Sequence, residues 1–214
     1  MEKNPVHPVH SAHTVRLILA TRNAHKTHEF AEILGPGFVV SDLNEVKEIP
    51  RVRETGETIE ENAILKAGAI SNCFPGLVAS DDSGLEVDAL QGGPGVRSAR
   101  YAGEGATDRE NVDKLLEDLR GVGMLGQERP ARFRCVIALA QAGNILRTFN
   151  GVVEGVIVTE PSGGHGFGYD PVFVPEGHSA TFAELGEVVK NQISHRARAI
   201  AQLRAYLAAG RFSD

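Results

Sequence analysis

Asp81 and Asp82 are adjacent carboxylates set between two apolar stretches, Leu77-Val78-Ala79 and Leu85 to Leu90, with Ser83-Gly84 directly after them. Like charges side by side raise each other's cost of ionisation, so such a pair calls for a cation, and a metal ion is the natural candidate. Alternation along a strand sends neighbouring side chains to opposite faces, so one aspartate is expected to face such a site directly. Asp, Ser and Gly are also turn residues. On these residues alone, a site and a turn at a strand end are equally good readings.

Two helix starts add positive charge. The N-terminal end of a helix carries positive partial charge, so acids belong in its first turn and bases are unfavourable there. The helix expected after Asn23 instead places His25 and Lys26 there, with Arg22 just outside, and the one after Ser194 places His195, Arg196 and Arg198. An anion at the helix end would gather backbone N–H groups and side-chain cations together, and phosphate is the obvious one. Long basic side chains can also simply reach water. Two such helices beside an acidic pair favour a phosphorylated ligand. A third ingredient is Gly163-Gly164-His165-Gly166-Phe167-Gly168-Tyr169-Asp170. Its glycines would let backbone approach a flat ligand, Phe167 or Tyr169 could stack on a nucleobase, and Asp170 could accept from its N–H groups. The alternative is a glycine-rich turn with two core aromatics. A P-loop or dehydrogenase reading has no support, because G-x-x-x-x-G-K-[ST] does not occur and no strand-to-helix turn carries G-x-G-x-x-G.

The elements that would position these residues alternate between strand and helix. Val15 to Ala20 reads as a strand, Thr21-Arg22-Asn23 as a turn, and the next segment as a helix with Phe30, Ile33 and Leu34 inward. Thr58 to Glu61 is a capping box that opens a helix with Ile59, Ala63, Ala67 and Ile70 on one stripe, and Thr58, Asn62 and Lys66 on another. Thr107 to Glu110 is a second box, before a helix that buries Val112, Leu115, Leu116 and Leu119 and ends in a loop over 121–130. Phe133, Cys135, Ile137 and Leu139 then alternate as in a strand. A turn at Gln141 to Asn144 and strands over Ile145–Phe149 and Val152–Val158 make a meander. The last helix begins near Ser194, with Ala197, Ile200, Ala201 and Leu207 inward. The class is α/β, a mixed sheet with helices packed on it.

With 214 residues, 42% of them hydrophobic, the chain can bury one large core or two lobes around a cleft. Residues 1–13 read as a flexible N-terminal tail and 14–214 as a single domain in two lobes. Cys73 and Cys135 have neither metal-ligand spacing nor a disulfide framework, so both are expected in apolar packing and the compartment in the reducing cytoplasm. No apolar run is long enough for a membrane span. A net charge of −6 argues against non-specific nucleic-acid binding.

In order along the chain, LATRNAHK, ETGETIEENAILKA, ASDDSGLEVDAL, PGVRSARYAG, GGHGFGYDPVF and KNQISHRARA resemble the Ham1-like inosine triphosphate pyrophosphatases, from about Val15 to about Leu207. Arg22 stands where a glycine is common in the first block. The resemblance implies a mixed, elongated central sheet with flanking helices and an active-site cleft between two lobes. It also implies Mg²⁺-dependent conversion of a nucleoside triphosphate and water to the monophosphate and pyrophosphate, and a homodimer. Asp82 would be the principal metal-site carboxylate and proton acceptor, with Glu54 as its metal-binding partner. Lys26 and Lys66 would balance triphosphate charge, while Thr21 to Lys26, including Arg22, Ala24 and His25, would form a substrate-binding turn. Asp81 and Ser83 would support the site. Phe167, Gly168, Tyr169, Asp170, Lys190, His195 and Arg196 would take the base, with donors that favour the 6-keto oxygen of inosine or xanthosine over the amine of adenosine. This leaves two uses for His195 and Arg196, phosphate or base. Competing readings are a non-catalytic purine nucleotide sensor, which has no need of both Glu54 and Asp82, and a Maf-like pyrimidine nucleotide pyrophosphatase, which the SHR and FGYD segments do not suit.

Overall fold

The computed structural model describes residues 14–46, 49, 52–124 and 126–210. The tail over 1–13 lies outside the described residues. The short apolar strand β1 (Val15–Leu19) is returned by α1 (Ala24–Leu34) to β2 (Phe38–Ser41), and α2 (Ile59–Ser71) then leads to β3 (Leu77–Val87). Because helices make these crossovers, β1 pairs in parallel with both β2 and β3. After α3 (Asp108–Gly121) the chain turns to hairpins: β4 (Pro130–Gln141), β5 (Asn144–Ile157) and β6 (Phe173–Pro175) all pair antiparallel. One six-stranded mixed sheet results, in the order β2-β1-β3-β4-β5-β6. The chain closes with α4 (Phe182–Ile193) and α5 (His195–Ala208).

The long strands β3 and β4 run through two cores. At one end Ala79, Cys135, Ile137 and Leu139 pack with Leu17, Leu19, Phe30 and Leu34, under Ala199, Ile200 and Leu203 of α5. At the other, Leu85, Val87 and Phe133 pack with Leu115 and Leu119 of α3 and with Phe173 and Phe182. The opposite sheet face is covered by α2, whose Ala63 and Ala67 meet Val136, Ala138 and Ala140. Asp81, Asp82 and Ser83 occupy the stretch of β3 between the two cores, which is where the lobes meet.

The structure departs from expectation in five places. Asp81 to Gly84 is neither turn nor strand end, for β3 continues with Asp81 opposite Ile137, Asp82 opposite Val136 and Gly84 opposite Arg134. Gly84 serves close packing instead: a Cβ there would run into the carbonyl of Gly95. The two strands foreseen over 145–158 are the single strand β5, uninterrupted at Asn150-Gly151, because Gly151 lets the first turn of α5 pack against it. Helix α4 escaped the periodicity because Gly186, at φ 76°, breaks it, although Thr181 and Glu184 form a capping box at its start. Ala201 is exposed and Leu203 takes the inward place on α5. The cysteines differ too: Cys73 is exposed, and buried Cys135 faces a carboxylate as well as apolar neighbours. Among the described residues no helix is long and apolar enough to cross a membrane.

Candidate active site

On the α2 side of the sheet, Lys66 reaches from the middle of α2 to β3. Its Nζ donates to Asp82 Oδ1 at 2.6 Å, Glu54 Oε1 at 2.9 Å and the Asp81 carbonyl at 3.0 Å. Glu54 comes from the loop before α2. That loop is fixed by buried Asn62, which accepts from the Gly56 N–H at 2.8 Å, and by the Thr58–Glu61 capping box. Burial and the neighbouring Glu54 charge raise the Asp82 carboxyl above its ordinary value, against the pull of Lys66. Burial also pushes Glu54 up, but Lys66, Lys26 and Arg100 outweigh it and hold that carboxyl low. Burial depresses Lys66, while Asp82 and Glu54 together raise it and keep it protonated.

Across the sheet, Asp81 sits among buried cations and donors. Its Oδ1 pairs with Lys26, and its Oδ2 accepts from Arg196 Nε at 3.0 Å, Cys135 Sγ at 3.0 Å and Ser83 Oγ at 3.2 Å. Despite complete burial, Arg196 and Lys26 hold the Asp81 carboxyl well below the usual range. Arg196 also donates from Nη1 to Glu29 Oε2 at 2.5 Å. Glu29 in turn binds Lys190 at 3.0 Å, and Lys190 binds Asp170 at 2.6 Å. Six alternating charges therefore run under the cleft from Lys26 to Asp170. Burial removes all but the partly exposed Lys26 from water, and the alternation of charge compensates the cost.

The cleft above has two halves. One, of 340 Å³, is bordered by Thr21, Arg22, Asn23, Lys26, Glu54, Lys66, Asp81, Asp82 and Arg100. The other, of 150 Å³, is bordered by Phe167, Gly168, Tyr169, Asp170, Lys190, His195 and Arg196. Asn23, Lys26, Ser83 and Ala99 border both, so the halves are continuous. Lys26 bridges them from the first turn of α1, which Asn23 caps by accepting from the N–H groups of His25 and Lys26. Buried His195 stacks on Phe133 at 4.8 Å between centroids. Burial and the nearby Arg196 and Lys190 push its pKa well below the ordinary value, so it is neutral near pH 7. Its Nδ1 has no partner among the described residues.

Several residues stand differently from the expectation. Arg22 donates to the carbonyls of Leu43 and Val46, tethering the loop after β2 while it borders the cleft. The His25 ring stacks on Phe167 at 5.6 Å, and Ala24 simply opens α1. Tyr169 is a core residue whose hydroxyl donates to the Ser98 carbonyl at 2.8 Å, so only Phe167 of the two aromatics is placed to stack. Lys190 lies 4.2 Å from the Phe167 ring centre. Gly166 of this block serves the protein itself: at φ 77°, it would drive a Cβ into the Asp170 carboxylate. Neutral, buried His195 and the enclosed guanidinium of Arg196 are not cations at an anion-binding helix end, and Ser194 caps that end by accepting from the Ala197 N–H. Sequence reasoning assigned no task to Arg100, which borders the phosphate-sized half from within PGVRSARYAG, or to Glu29, which reads as an ordinary helix residue.

Residues 17–206 match the sequence profile of the Ham1 family. The chain belongs to the Ham1 family. This Ham1 chain is 50% identical over 194 residues to the dITP/XTP pyrophosphatase of Geobacter sulfurreducens, covering 90% of this chain and 96% of that protein. It is 48% identical over 192 residues to the dITP/XTP pyrophosphatase of Bacillus licheniformis, covering 89% and 97%. The solved HAM1 protein of Coxiella burnetii superposes with a TM-score of 0.82 at 41% identity, covering 91% of this Ham1 chain and 99% of that structure.

Proposed function

We propose that this Ham1 protein hydrolyses purine nucleoside triphosphates with a 6-keto base (ITP, dITP and XTP) to the monophosphate and pyrophosphate, and so clears deaminated purines from the nucleotide pool. The reading is carried by the continuity of the cleft: an acidic and cationic half opens directly into an aromatic half rich in donors. Its relatives named dITP/XTP pyrophosphatase support the same substrates.

In this reading the phosphates lie against Lys26 and Lys66 beside the α1 N-terminus, and Thr21 and Asn23 hold the turn. The Asp82 and Glu54 oxygens that share Lys66, with the Asp81 carbonyl beside them, form a hard oxygen set that suits Mg²⁺. These carboxylates would hold Mg²⁺, which supplies charge neutralisation for the phosphates when bound. Asp82, at the floor of the cleft, orients a water toward the α-phosphorus and takes its proton. Glu54 stands beside it as the second carboxylate, tied to Lys66 and Arg100. In the other half Phe167 stacks on the purine, while Lys190, Arg196 and neutral His195 face its 6-position. Arg196 and Lys190 are already paired with carboxylates, so the discriminating contact falls to His195, whose Nδ1 has no partner among the described residues and which a 6-amine would not satisfy as a keto oxygen does. Ser83 and Gly168 border the bound nucleotide. A homodimer in the reducing cytoplasm completes the proposal, with family resemblance supporting the first and unpaired Cys73 and Cys135 consistent with the second. Sedimentation tests the assembly.

The deciding assay is pyrophosphate release from ITP, dITP, XTP, ATP, GTP, dTTP and UTP, with and without Mg²⁺. Metal-dependent turnover of ITP, dITP and XTP well above that of ATP, dTTP and UTP is expected; GTP shares the 6-keto oxygen and differs from ITP by its 2-amino group, so it reads the 2-position separately. Tight ITP binding without turnover of any substrate would return the protein to the sensor reading.

A further inference from the structure

The phosphate half of the cleft holds a cation with no task in the mechanism above. Arg100 ends a 3₁₀ turn, Gly95–Arg100, whose place on β3 is fixed from several sides. The Leu85 N–H donates to Ser98 Oγ at 2.9 Å, and the Tyr169 hydroxyl donates to the Ser98 carbonyl at 2.8 Å. Asn111 donates to the Ala99 carbonyl at 3.3 Å. The guanidinium is therefore carried on a braced segment.

Its own contacts are weak. Nη1 lies 3.4 Å from Glu54 Oε2, and Nε lies 3.5 Å from Glu104, whose side chain is 90% exposed. An ion pair in water of this kind contributes little. Lys66, by contrast, is held at 2.6 Å by Asp82, and Lys26 is paired with fully buried Asp81. Arg22 has its donors on carbonyls. Arg100 is thus the least committed guanidinium in a pocket suited to a polyanion, and its planar fork matches phosphate oxygens. Its position selects which phosphates. Ala99 borders both halves of the cleft, but Arg100 borders only the phosphate half, where it takes Oε2 of Glu54 while Lys66 takes Oε1. It is also the residue shared between the cleft and a neighbouring 490 Å³ groove that carries Arg97 and Lys114.

We propose that Arg100 binds the β- and γ-phosphates of the nucleoside triphosphate and, after cleavage, the pyrophosphate product. The proposal rests on the hydrolytic reading above, which places the α-phosphorus beside Asp82. It separates Arg100 from a residue that merely orients Glu54, whose loss would lower kcat and leave pyrophosphate affinity unchanged.

The test is calorimetric titration of the full chain with inorganic pyrophosphate and, separately, with IMP, each in Mg²⁺ and in EDTA. Arg100→Ala is expected to weaken pyrophosphate binding about tenfold or more, as loss of a charge-assisted contact does, and to leave IMP within about twofold. Arg100→Lys, which keeps the charge without the fork, should fall between. Unchanged pyrophosphate affinity, or equal weakening of pyrophosphate and IMP, overturns the proposal. Arg100→Gln decides by the same criterion if the alanine variant does not fold. Because titration needs no turnover, a wild-type protein inert toward ITP would sink the hydrolytic reading while Arg100 is still judged separately.

Discussion

Asp81 and Asp82 are one position apart in the chain and face opposite sides of the sheet, which gives the same side chain two chemistries. Asp81 is enclosed, accepts from four side chains and is held strongly ionised. Asp82 meets Lys66 at the floor of the cleft, and burial raises its proton affinity. Asp82→Asn keeps the shape and removes the charge. Turnover of ITP should fall by about 10²-fold or more, since losses of electrostatic stabilisation at a reacting centre are of that size. A variant with ordinary melting and near-normal activity at limiting Mg²⁺ would show that another carboxylate does the work. His195 offers a parallel test of base selection. Arg196 does not, because its replacement would strand both Asp81 and Glu29. His195→Phe keeps an aromatic ring against Phe133 and deletes the nitrogens. The ITP-to-ATP ratio of kcat/KM should narrow about tenfold, or roughly 1.4 kcal/mol, with little change in melting temperature. If both substrates weaken alike, the ring does not read the 6-position.

Among the elements, glycines inside strands decide how closely the lobes approach the cleft. Gly151 lies in the middle of β5, where a Cβ would run into the His195 carbonyl and come within 2.7 Å of the Ala199 N–H. Gly151→Ala should therefore push the start of α5 off the sheet. An overpacking cost of about 1–3 kcal/mol is expected, together with loss of ITP selectivity, because His195 and Arg196 ride on that turn. Thermal melting and the ITP-to-ATP ratio check both, and an unchanged ratio would mean that α5 yields without moving the site. The same glycines explain which elements were legible in the sequence. Capped, periodic helices such as α2 and α3 declare themselves through local chemistry, and so does the Phe133-Cys135-Ile137-Leu139 alternation. Gly84 and Gly151 carry turn-like local signals, yet their function is to admit a backbone from far along the chain. The Asp81-Asp82 pair and Lys26 stand out in the sequence through adjacent like charges and a base in a first helical turn, whereas the choice of Asp82 and the part given to Lys66 come from the family resemblance. Glu29 and the inward part of Tyr169 could not be found, since their partners, Arg196, Lys190 and Ser98, lie far away in sequence.

At the scale of the whole molecule, the buried chain Lys26–Asp81–Arg196–Glu29–Lys190–Asp170 joins α1, β3, α5, α4 and the loop after β5 beneath both halves of the cleft. Three cations and three carboxylates balance, so removing one member leaves an uncompensated charge away from water, and Glu29 is the member that borders neither half. Glu29→Gln should destabilise the fold by about 3 kcal/mol, the lower end for breaking a buried pair. In a domain of this size that corresponds to a fall of roughly 6–12 °C in melting temperature. The pH dependence follows from the same shifts. Burial raises Glu29, but Arg196 and Lys190 bring it below its ordinary 4.5, and Asp81 lies well below its ordinary 3.8. A depressed carboxylate contributes stability that is fully present above its unfolded value and disappears as pH falls through its folded one. Asp170, which burial raises, acts in the opposite sense. Since two of the three carboxylates are lowered and Asp81 strongly so, the wild-type melting temperature should drop steadily as pH goes from about 5 to about 2. Glu29→Gln should start lower and fall less steeply over that window, because one of the protons taken up on acid unfolding is gone. Parallel slopes for the two proteins would mean that Glu29 titrates alike in the folded and unfolded states, and that the network is held by Asp81 and Asp170 alone.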